Sequence, residues 1–123
     1  MNNKHEPFLV HRYKSVGYAF KGMFLLLKTE SSIQLQFSIG VLLSIVGFYL
    51  NISLTEWMMQ TFAVVLVMST EALNTGIEKI CDFVHEDFEV RIGFIKDIAA
   101  GAVAIASVGA FIITLLIYLP KFI

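Results

Sequence analysis

The sequence predicts an all-α integral membrane protein, with an N-terminal amphipathic interfacial helix followed by three transmembrane helices. Three observations predict it. Of the 123 residues, 57% are hydrophobic and 15% charged, against roughly 45–50% and 25% in soluble domains. A domain of this length has too little interior to hide so much apolar surface. The charges are also gathered rather than spread: none falls between Ser31 and Thr55, and none between Ile98 and Pro120. Each of these runs exceeds the ~20 residues a helix needs to cross the hydrocarbon core. A third apolar run, Trp57 to Ile77, is interrupted only by Glu71. A buried helix of a soluble protein accounts for one such run, but three would need a large soluble partner to cover them.

The whole chain, 1–123, reads as one membrane domain without internal repeats. Residues 1–10 are expected to form a polar tail. Residues 12–29 read as the interfacial helix. Lys14, Lys21 and Lys28 recur at intervals of seven and so form one stripe, while Val16, Phe20, Met23, Phe24 and Leu27 fall on the opposite side at the 3.6-residue pitch. A basic stripe opposite an apolar one suits a helix lying in the interface plane. At the same pitch Glu30 projects toward the apolar side, where a carboxylate needs a partner or a task. Thr29 to Ser32 is expected to bend the chain into the first span, 33–50. Asn51 to Glu56 is a short turn, with Ser53 or Thr55 as the cap of the next helix and Trp57 at the membrane interface. The second span, 57–77, continues into a polar extension reaching about Val84. His85 to Asp97 is a charged connection. The third span, 98–119, has small residues through its first half (Gly101, Ala102, Ala104, Ala106, Ser107), which suits close helix packing, and Pro120 ends it.

Lys and Arg set the orientation. Lys4, Arg12, Lys14, Lys21 and Lys28 precede the first span, and Lys79, Arg91 and Lys96 lie between the second and third. The turn at 51–56 has none, and Lys121 alone follows the third span. The positive-inside rule therefore places the N-terminus and the second connection in the cytoplasm. No secretory signal peptide is expected, because no short apolar region with a small-residue cleavage site follows the polar start. Cys81 has no second cysteine to pair with and is read as structural.

The chemistry-bearing segment is E-A-L-N-T-G-I-E-K-I-C-D, Glu71 to Asp82. At ~100° per residue, Glu71, Asn74, Glu78 and Asp82 fall within an arc of roughly 80° on one helix face. Three carboxylates and an amide on one stripe normally read as a solvated face. That reading suits Glu78 and Asp82 but fails for Glu71, which follows an uncharged run from Trp57 to Thr70. An ionisable group costs at least ~2.5–3.5 kcal/mol at the centre of a span and is a functional candidate by default. Like carboxylates close together need a divalent cation, a shared proton or basic neighbours. Their oxygens suit Mg²⁺, which takes one or two carboxylates together with substrate phosphates. Lys96, beside Asp97 at the start of the third span, supplies positive charge for a phosphate. A proton acceptor at the bilayer edge, a metal pair and a lysine together suggest phosphoryl transfer to a lipid hydroxyl. The soluble solutions are absent: no G-x-x-x-x-G-K-S/T, no G-x-G-x-x-G and no H-R-D or D-F-G occurs.

The Glu71–Asp82 segment, together with the K-D-I-A-A-G-A-V run from Lys96 to Val103, resembles the small bacterial membrane lipid kinases, the family of prokaryotic diacylglycerol kinase and undecaprenol kinase. The resemblance covers about residues 12–120. It implies an interfacial helix plus three spans, assembly as a homotrimer, and transfer of the γ-phosphate of ATP to a lipid alcohol with Mg²⁺. Carried over residue by residue, it makes Glu71 the general base. Glu30 and Glu78 become the metal ligands, which also meet ATP. Tyr18, Asp87, Glu89, Lys96 and Asp97 become nucleotide contacts, and Asn74 and Asp82 further active-site residues. Arg12, one residue past the aligned His11, stands in for a family arginine that holds ATP, and Glu89 stands where a histidine would be. H-E-D-F at 85–88, A-A-G-A-V and the terminal L-P look closer to the undecaprenol kinase type. K-T-E-S-S-I-Q around Glu30 departs from that type, so the acceptor stays open between diacylglycerol and undecaprenol. The rival readings are a proton-coupled transporter or channel subunit, with Glu71 as relay, and a non-catalytic assembly subunit. Neither needs Mg-ATP, and the acids crowd at the membrane edge rather than its midplane.

Overall fold

The structure is a computed structural model that describes residues 6–85, 87 and 89–123. It contains four helices, α1 (Phe8–Thr29), α2 (Ser31–Leu50), α3 (Leu54–Val84) and α4 (Val90–Tyr118), closed by a 3₁₀ turn at Leu119–Lys121. The four expected segments are all helical, with shifted ends. α1 begins at Phe8 rather than near Arg12, because Pro7 supplies the helix-entry backbone at φ −58° and Glu6 pairs with Lys14 one side of the first turns. Of the expected tail, residues 8–10 are therefore helical, and 1–5 lie outside the described residues. α4 begins at Val90, well ahead of Ile98, because Glu89 caps it by accepting a hydrogen bond from the Ile92 N–H at 3.1 Å. The charged connection thus shrinks to a tight link between two long helices.

One residue separates α1 from α2. Glu30 is extended, at φ −101° and ψ 114°, and the chain turns there without a loop. The carbonyls left open at the end of α1 are met from the next helix: the Gln34 amide donates to Leu27 O at 3.0 Å and to Lys28 O at 3.1 Å. A helix end needs such partners. Since Glu30 belongs to the bend and not to α1, its side chain does not follow the α1 pitch; it reaches across to α3 instead.

The α2–α3 turn is the best-defined corner. Asn51 takes the left-handed conformation, φ 54°, and the Ile52 N–H bonds back to Gly47 O at 3.1 Å, closing the helix as a left-handed C-cap does. Gly47 is required there by space. A Cβ at that position would meet Ile52 Cδ1 and Trp57 Cη2, each at 3.0 Å. Of the two candidate caps the structure selects Ser53, in a full capping box with Glu56: Ser53 Oγ accepts from Glu56 N at 3.2 Å, and Glu56 accepts from Ser53 N at 2.9 Å. Lys121 then reaches back to Glu56 at 3.1 Å.

The main apolar cluster sits at this end. Ile52, Ile117 and Tyr118 are buried among Leu43, Val46, Leu50, Trp57 and Ile113, and Trp57 packs at a tilt on Phe48 with ring centroids 4.8 Å apart. Gln60, buried in α3, is met by the Tyr118 hydroxyl of α4, which donates to Gln60 Oε1 at 2.6 Å and stands 3.0 Å from Leu43 O of α2. One phenol thus ties three helices. Toward the opposite end α3 and α4 run side by side through small or compact residues, Ala63, Cys81, Ala99 and Ala106, all buried. The small face of α4 is only partly used: Ala102, Ala104 and Ser107 stay exposed.

Two helices are long and apolar enough to cross a membrane, Ser31–Leu50 and the helix running Val90–Lys121, and only 11% and 17% of their most apolar windows are buried. A core helix of a soluble protein would be mostly covered; these present their apolar surface outward. α3 spans the expected 57–77 as helix but is more polar, since Gln60, Glu71 and Asn74 interrupt it. α1 buries no residue at all.

Two expectations follow for the turn end. Tyr118→Phe removes the donor to a buried amide and is expected to cost about 1–3 kcal/mol, read as a lowered midpoint of unfolding in detergent. At Glu56, the hydrogen bond from the Ser53 N–H, aided by Lys121, holds the carboxyl below its ordinary value. A depressed carboxylate stabilises the fold fully above the ordinary value and progressively less as pH falls through the lowered one. Between about pH 5 and pH 3 the wild type should therefore lose more thermal stability than Glu56→Gln.

Candidate active site

The acidic stripe lies on the half of α3 remote from the Ile52 corner. Glu71 is half-buried, Asn74 and the adjacent Thr75 are buried, and Glu78 and Asp82 are exposed. The helical spacing brings the expected neighbours together: Asn74 Nδ2 donates to Glu78 Oε1 at 3.1 Å. That bond fixes the Glu78 carboxylate and leaves Asn74 Oδ1 buried without a partner among the described residues, a state shared only by Gln36 Oε1 of α2. A buried acceptor left unmade costs about 1–3 kcal/mol, so Asn74 Oδ1 marks a place prepared for a donor or a cation. The carboxylate of Glu71 has no hydrogen bond or ion pair among the described residues.

Two ion pairs bring other elements to the stripe. Lys96 of α4 holds Asp82 of α3 at 2.7 Å, which spans the α3–α4 link. Glu30, at the α1–α2 bend, meets Lys79 of α3 at 3.5 Å. Since Lys79 follows Glu78 directly, the bend places Glu30 against the turn of α3 that carries Glu78. Beyond the Lys96–Asp82 pair, His85, Asp87, Glu89, Ile92, Gly93, Lys96 and Asp97 line a cavity of about 400 Å³. Its wall is shaped by the His85 ring, 2.7 Å from Asp87 O, and by Glu89, which bonds to Arg91 at 3.0 Å.

Electrostatics follow these contacts. The hydrogen bond to Asp82 raises the Lys96 ammonium above the ordinary lysine value, against partial desolvation. The Arg91 hydrogen bond holds the Glu89 carboxyl below the ordinary range, with help from the Ile92 N–H.

The structure therefore gathers Asp87, Glu89, Lys96 and Asp97 around one cavity, ties Asp82 to its edge, and sets Asn74 and Glu78 together with Glu30 nearby. Arg12 and Tyr18 stand exposed on α1. The Arg12 guanidinium lies over the Phe8 ring, 5.2 Å from its centroid, and no hydrogen bond or ion pair among the described residues joins either side chain to the stripe. Sequence reasoning missed two residues. His85 lines the cavity, and its signal was the H-E-D-F segment, noted only as a family likeness. Lys79 meets Glu30, and nothing in its i+1 spacing from Glu78 announces a contact with a residue so far away in the chain.

A divalent cation fits the donor set present. Glu30 and Glu78 offer hard carboxylate oxygens, and Asn74 Oδ1 is an unmet oxygen beside Glu78. Among the described residues no three His, Cys, Asp or Glu side chains gather as a closed cage. Oxygen donors of this kind suit a hard divalent cation that completes its shell with phosphate oxygens.

A helical membrane protein with a partnerless carboxylate, an anchored one and a lysine-walled cavity at one end has the parts of a phosphotransferase acting at a bilayer face. Comparison with known proteins agrees. Residues 17–118 match the family described as prokaryotic diacylglycerol kinase. The chain is 34% identical over 117 residues to the undecaprenol kinase of Bacillus subtilis (strain 168), covering 95% of each. It is 32% identical over 100 residues to the diacylglycerol kinase of Escherichia coli (strain K12), covering 80% of this chain and 81% of that one. The chain belongs to the prokaryotic diacylglycerol kinase family, and it is a lipid kinase.

The Lys96 shift has a measurable sign. A raised lysine keeps its ion pair below the ordinary value and loses it only as pH rises through the raised one. Asp82→Asn should return Lys96 toward the ordinary value and speed its acylation in mildly alkaline buffer. Peptide mass spectrometry of the labelled protein reads the rate.

Proposed function

We propose that this lipid kinase transfers the γ-phosphate of ATP to the hydroxyl of a membrane lipid alcohol, diacylglycerol or undecaprenol, with Glu71 taking the hydroxyl proton. The observation that carries the reading is the state of Glu71: half-buried, without a partner among the described residues, and one helical turn from the Asn74–Glu78 pair. A base must lie within hydrogen-bond reach of the proton it takes, and a carboxylate already committed to an ion pair is poorly suited to that task. As the lipid oxygen attacks the γ-phosphorus, its proton passes to Glu71, the bond from the γ-phosphorus to the ADP oxygen breaks, and ADP leaves.

The remaining residues position and neutralise, which is most of what phosphoryl transfer needs. Asn74 holds Glu78 in one orientation. Glu30, carried by the α1–α2 bend, faces the same turn of α3. Lys96, Asp97, Asp87 and Glu89 form the cavity wall that receives the nucleotide, and Asp82 fixes where the Lys96 charge sits. Arg12 and Tyr18 come to the nucleotide from α1. Glu30 and Glu78 would hold Mg²⁺, which would neutralise charge on the phosphates when bound.

The membrane arrangement belongs to the same reading. α1 lies at the interface with its lysine stripe toward the headgroups, and α2, 57–77 of α3 and 98–119 of α4 span the inner membrane. α3 crosses despite Gln60 because the Tyr118 hydroxyl satisfies that amide. Charge bias puts the N-terminus and the α3–α4 link in the cytoplasm, where ATP is. The uncovered Ala102, Ala104 and Ser107 of α4 offer close-packing positions for further copies, which supports a homotrimer.

Labelled ATP and the purified protein in mixed micelles, offered diacylglycerol and undecaprenol separately, test this. One lipid should be labelled, and Glu71→Gln should lose about 10²–10⁴-fold in rate while its unfolding midpoint holds. A Glu71→Gln enzyme of full activity, or no label in either lipid, would sink the reading.

A further inference from the structure

Lys79 has no part in the mechanism above, yet it makes the contact that locates Glu30. Its ammonium stands 3.5 Å from Glu30 Oε1. The two side chains differ in kind. That of Glu30 is 27% exposed and grows from the bend between two helices, while that of Lys79 is 71% exposed and hangs on a flexible four-carbon stem. The carboxylate is thus the more enclosed partner, and the ammonium stands largely in solvent. Lys79 also follows Glu78 directly, so its stem starts from the very turn of α3 whose carboxylate is held by Asn74.

A part-buried carboxylate beside other acids is costly without a positive neighbour. In this arrangement Lys79 supplies that neighbour. A divalent ion and an ammonium cannot both sit against the same oxygen, because they repel and compete for one lone-pair region. We propose that Lys79 is a built-in counter-cation for Glu30: it occupies the carboxylate when no divalent ion is there and must swing out to solvent for the ion to bind. The inference rests on the reading of Glu30 as a metal ligand. It assigns Lys79 a positioning role, setting how much divalent ion the enzyme needs.

The cost of displacing Lys79 is that of an exposed ion pair, so the effect is modest. The test is Mn²⁺ binding, read by electron paramagnetic resonance of free Mn²⁺, with the full chain in detergent and a non-hydrolysable β,γ-methylene ATP analogue. Lys79→Ala should bind Mn²⁺ about two- to fivefold more tightly than wild type, the factor that an exposed pair of up to ~1 kcal/mol represents, and Lys79→Arg should stay near wild type. Glu30→Gln should weaken binding. In the Glu30→Gln background, Lys79→Ala should no longer tighten it. Unchanged Mn²⁺ affinity in Lys79→Ala, with Glu30→Gln weakened, overturns the counter-cation and leaves Glu30 a ligand. Weaker binding in Lys79→Ala overturns it in favour of a phosphate contact. Tightening that persists without Glu30 overturns it in favour of a general field effect. If Glu30→Gln binds Mn²⁺ as wild type does, the ligand reading falls and the inference with it. Unfolding midpoints without metal separate all of these from misfolding.

Discussion

The acidic stripe exists because α3 runs unbroken from Leu54 to Val84. Its 31 residues extend about 46 Å at 1.5 Å per residue, against a hydrocarbon core of about 30 Å. Placed across a bilayer as proposed, a helix anchored by its capping box at one end carries its last turns beyond the apolar layer at the other. α4, with 29 residues, is long enough to travel with it. The two form a hairpin whose tip holds the Lys96–Asp82 pair and the cavity, while Glu71 lies further back along α3. The order of the proposed parts, base first and nucleotide groups last, is the order of residues along one rigid rod. A break at Gly76 would destroy that order without touching any side chain of the site.

The two ends of the molecule are held by different physics. The Ile52 corner is fixed by apolar packing, a left-handed cap, a capping box and the Tyr118 hydroxyl, which closes the one deeply buried amide in that region. In an apolar surrounding such closure is compulsory, since water is not there to help. The acidic end combines α3–α4 packing around the buried Cys81 and Ala99 with two ion pairs, Lys96–Asp82 and Glu30–Lys79. Exposed pairs are worth little individually. Stability is thus concentrated away from the chemistry, and the end that must admit two substrates is the one with the weaker fastenings.

Much of this was legible in the sequence, for physical reasons. Charge-free runs gave α2 and α4, because nothing but length and apolarity is needed to recognise them. The face shared by Asn74 and Glu78 followed from helical pitch alone, and the structure shows the bond. Ends were harder. The early start of α1 depends on Pro7 and that of α4 on a glutamate acting as cap, a role in which Ser, Thr, Asp and Asn are the expected residues. The run Trp57–Ile77 reads as a span, although Gln60, Glu71 and Asn74 dilute its apolarity; no sequence pattern says that Tyr118 will satisfy Gln60. Glu30 was assigned a direction from the α1 pitch, and this failed because the residue belongs to neither helix. Lys79 was invisible for the same reason: contacts across a bend are set by the bend.

The bend has a mechanical consequence. α1 has 22 residues, an arm of about 33 Å pivoting on a single non-helical position, with the Gln34 amide as a stay across the joint. A tilt of ten degrees sweeps the far tip of such an arm by roughly 6 Å, yet the fulcrum itself hardly moves. Glu30 is that fulcrum. On the proposed interfacial placement, the long basic arm can follow the undulations and thickness changes of a bilayer surface while the carboxylate at its pivot keeps its station against α3.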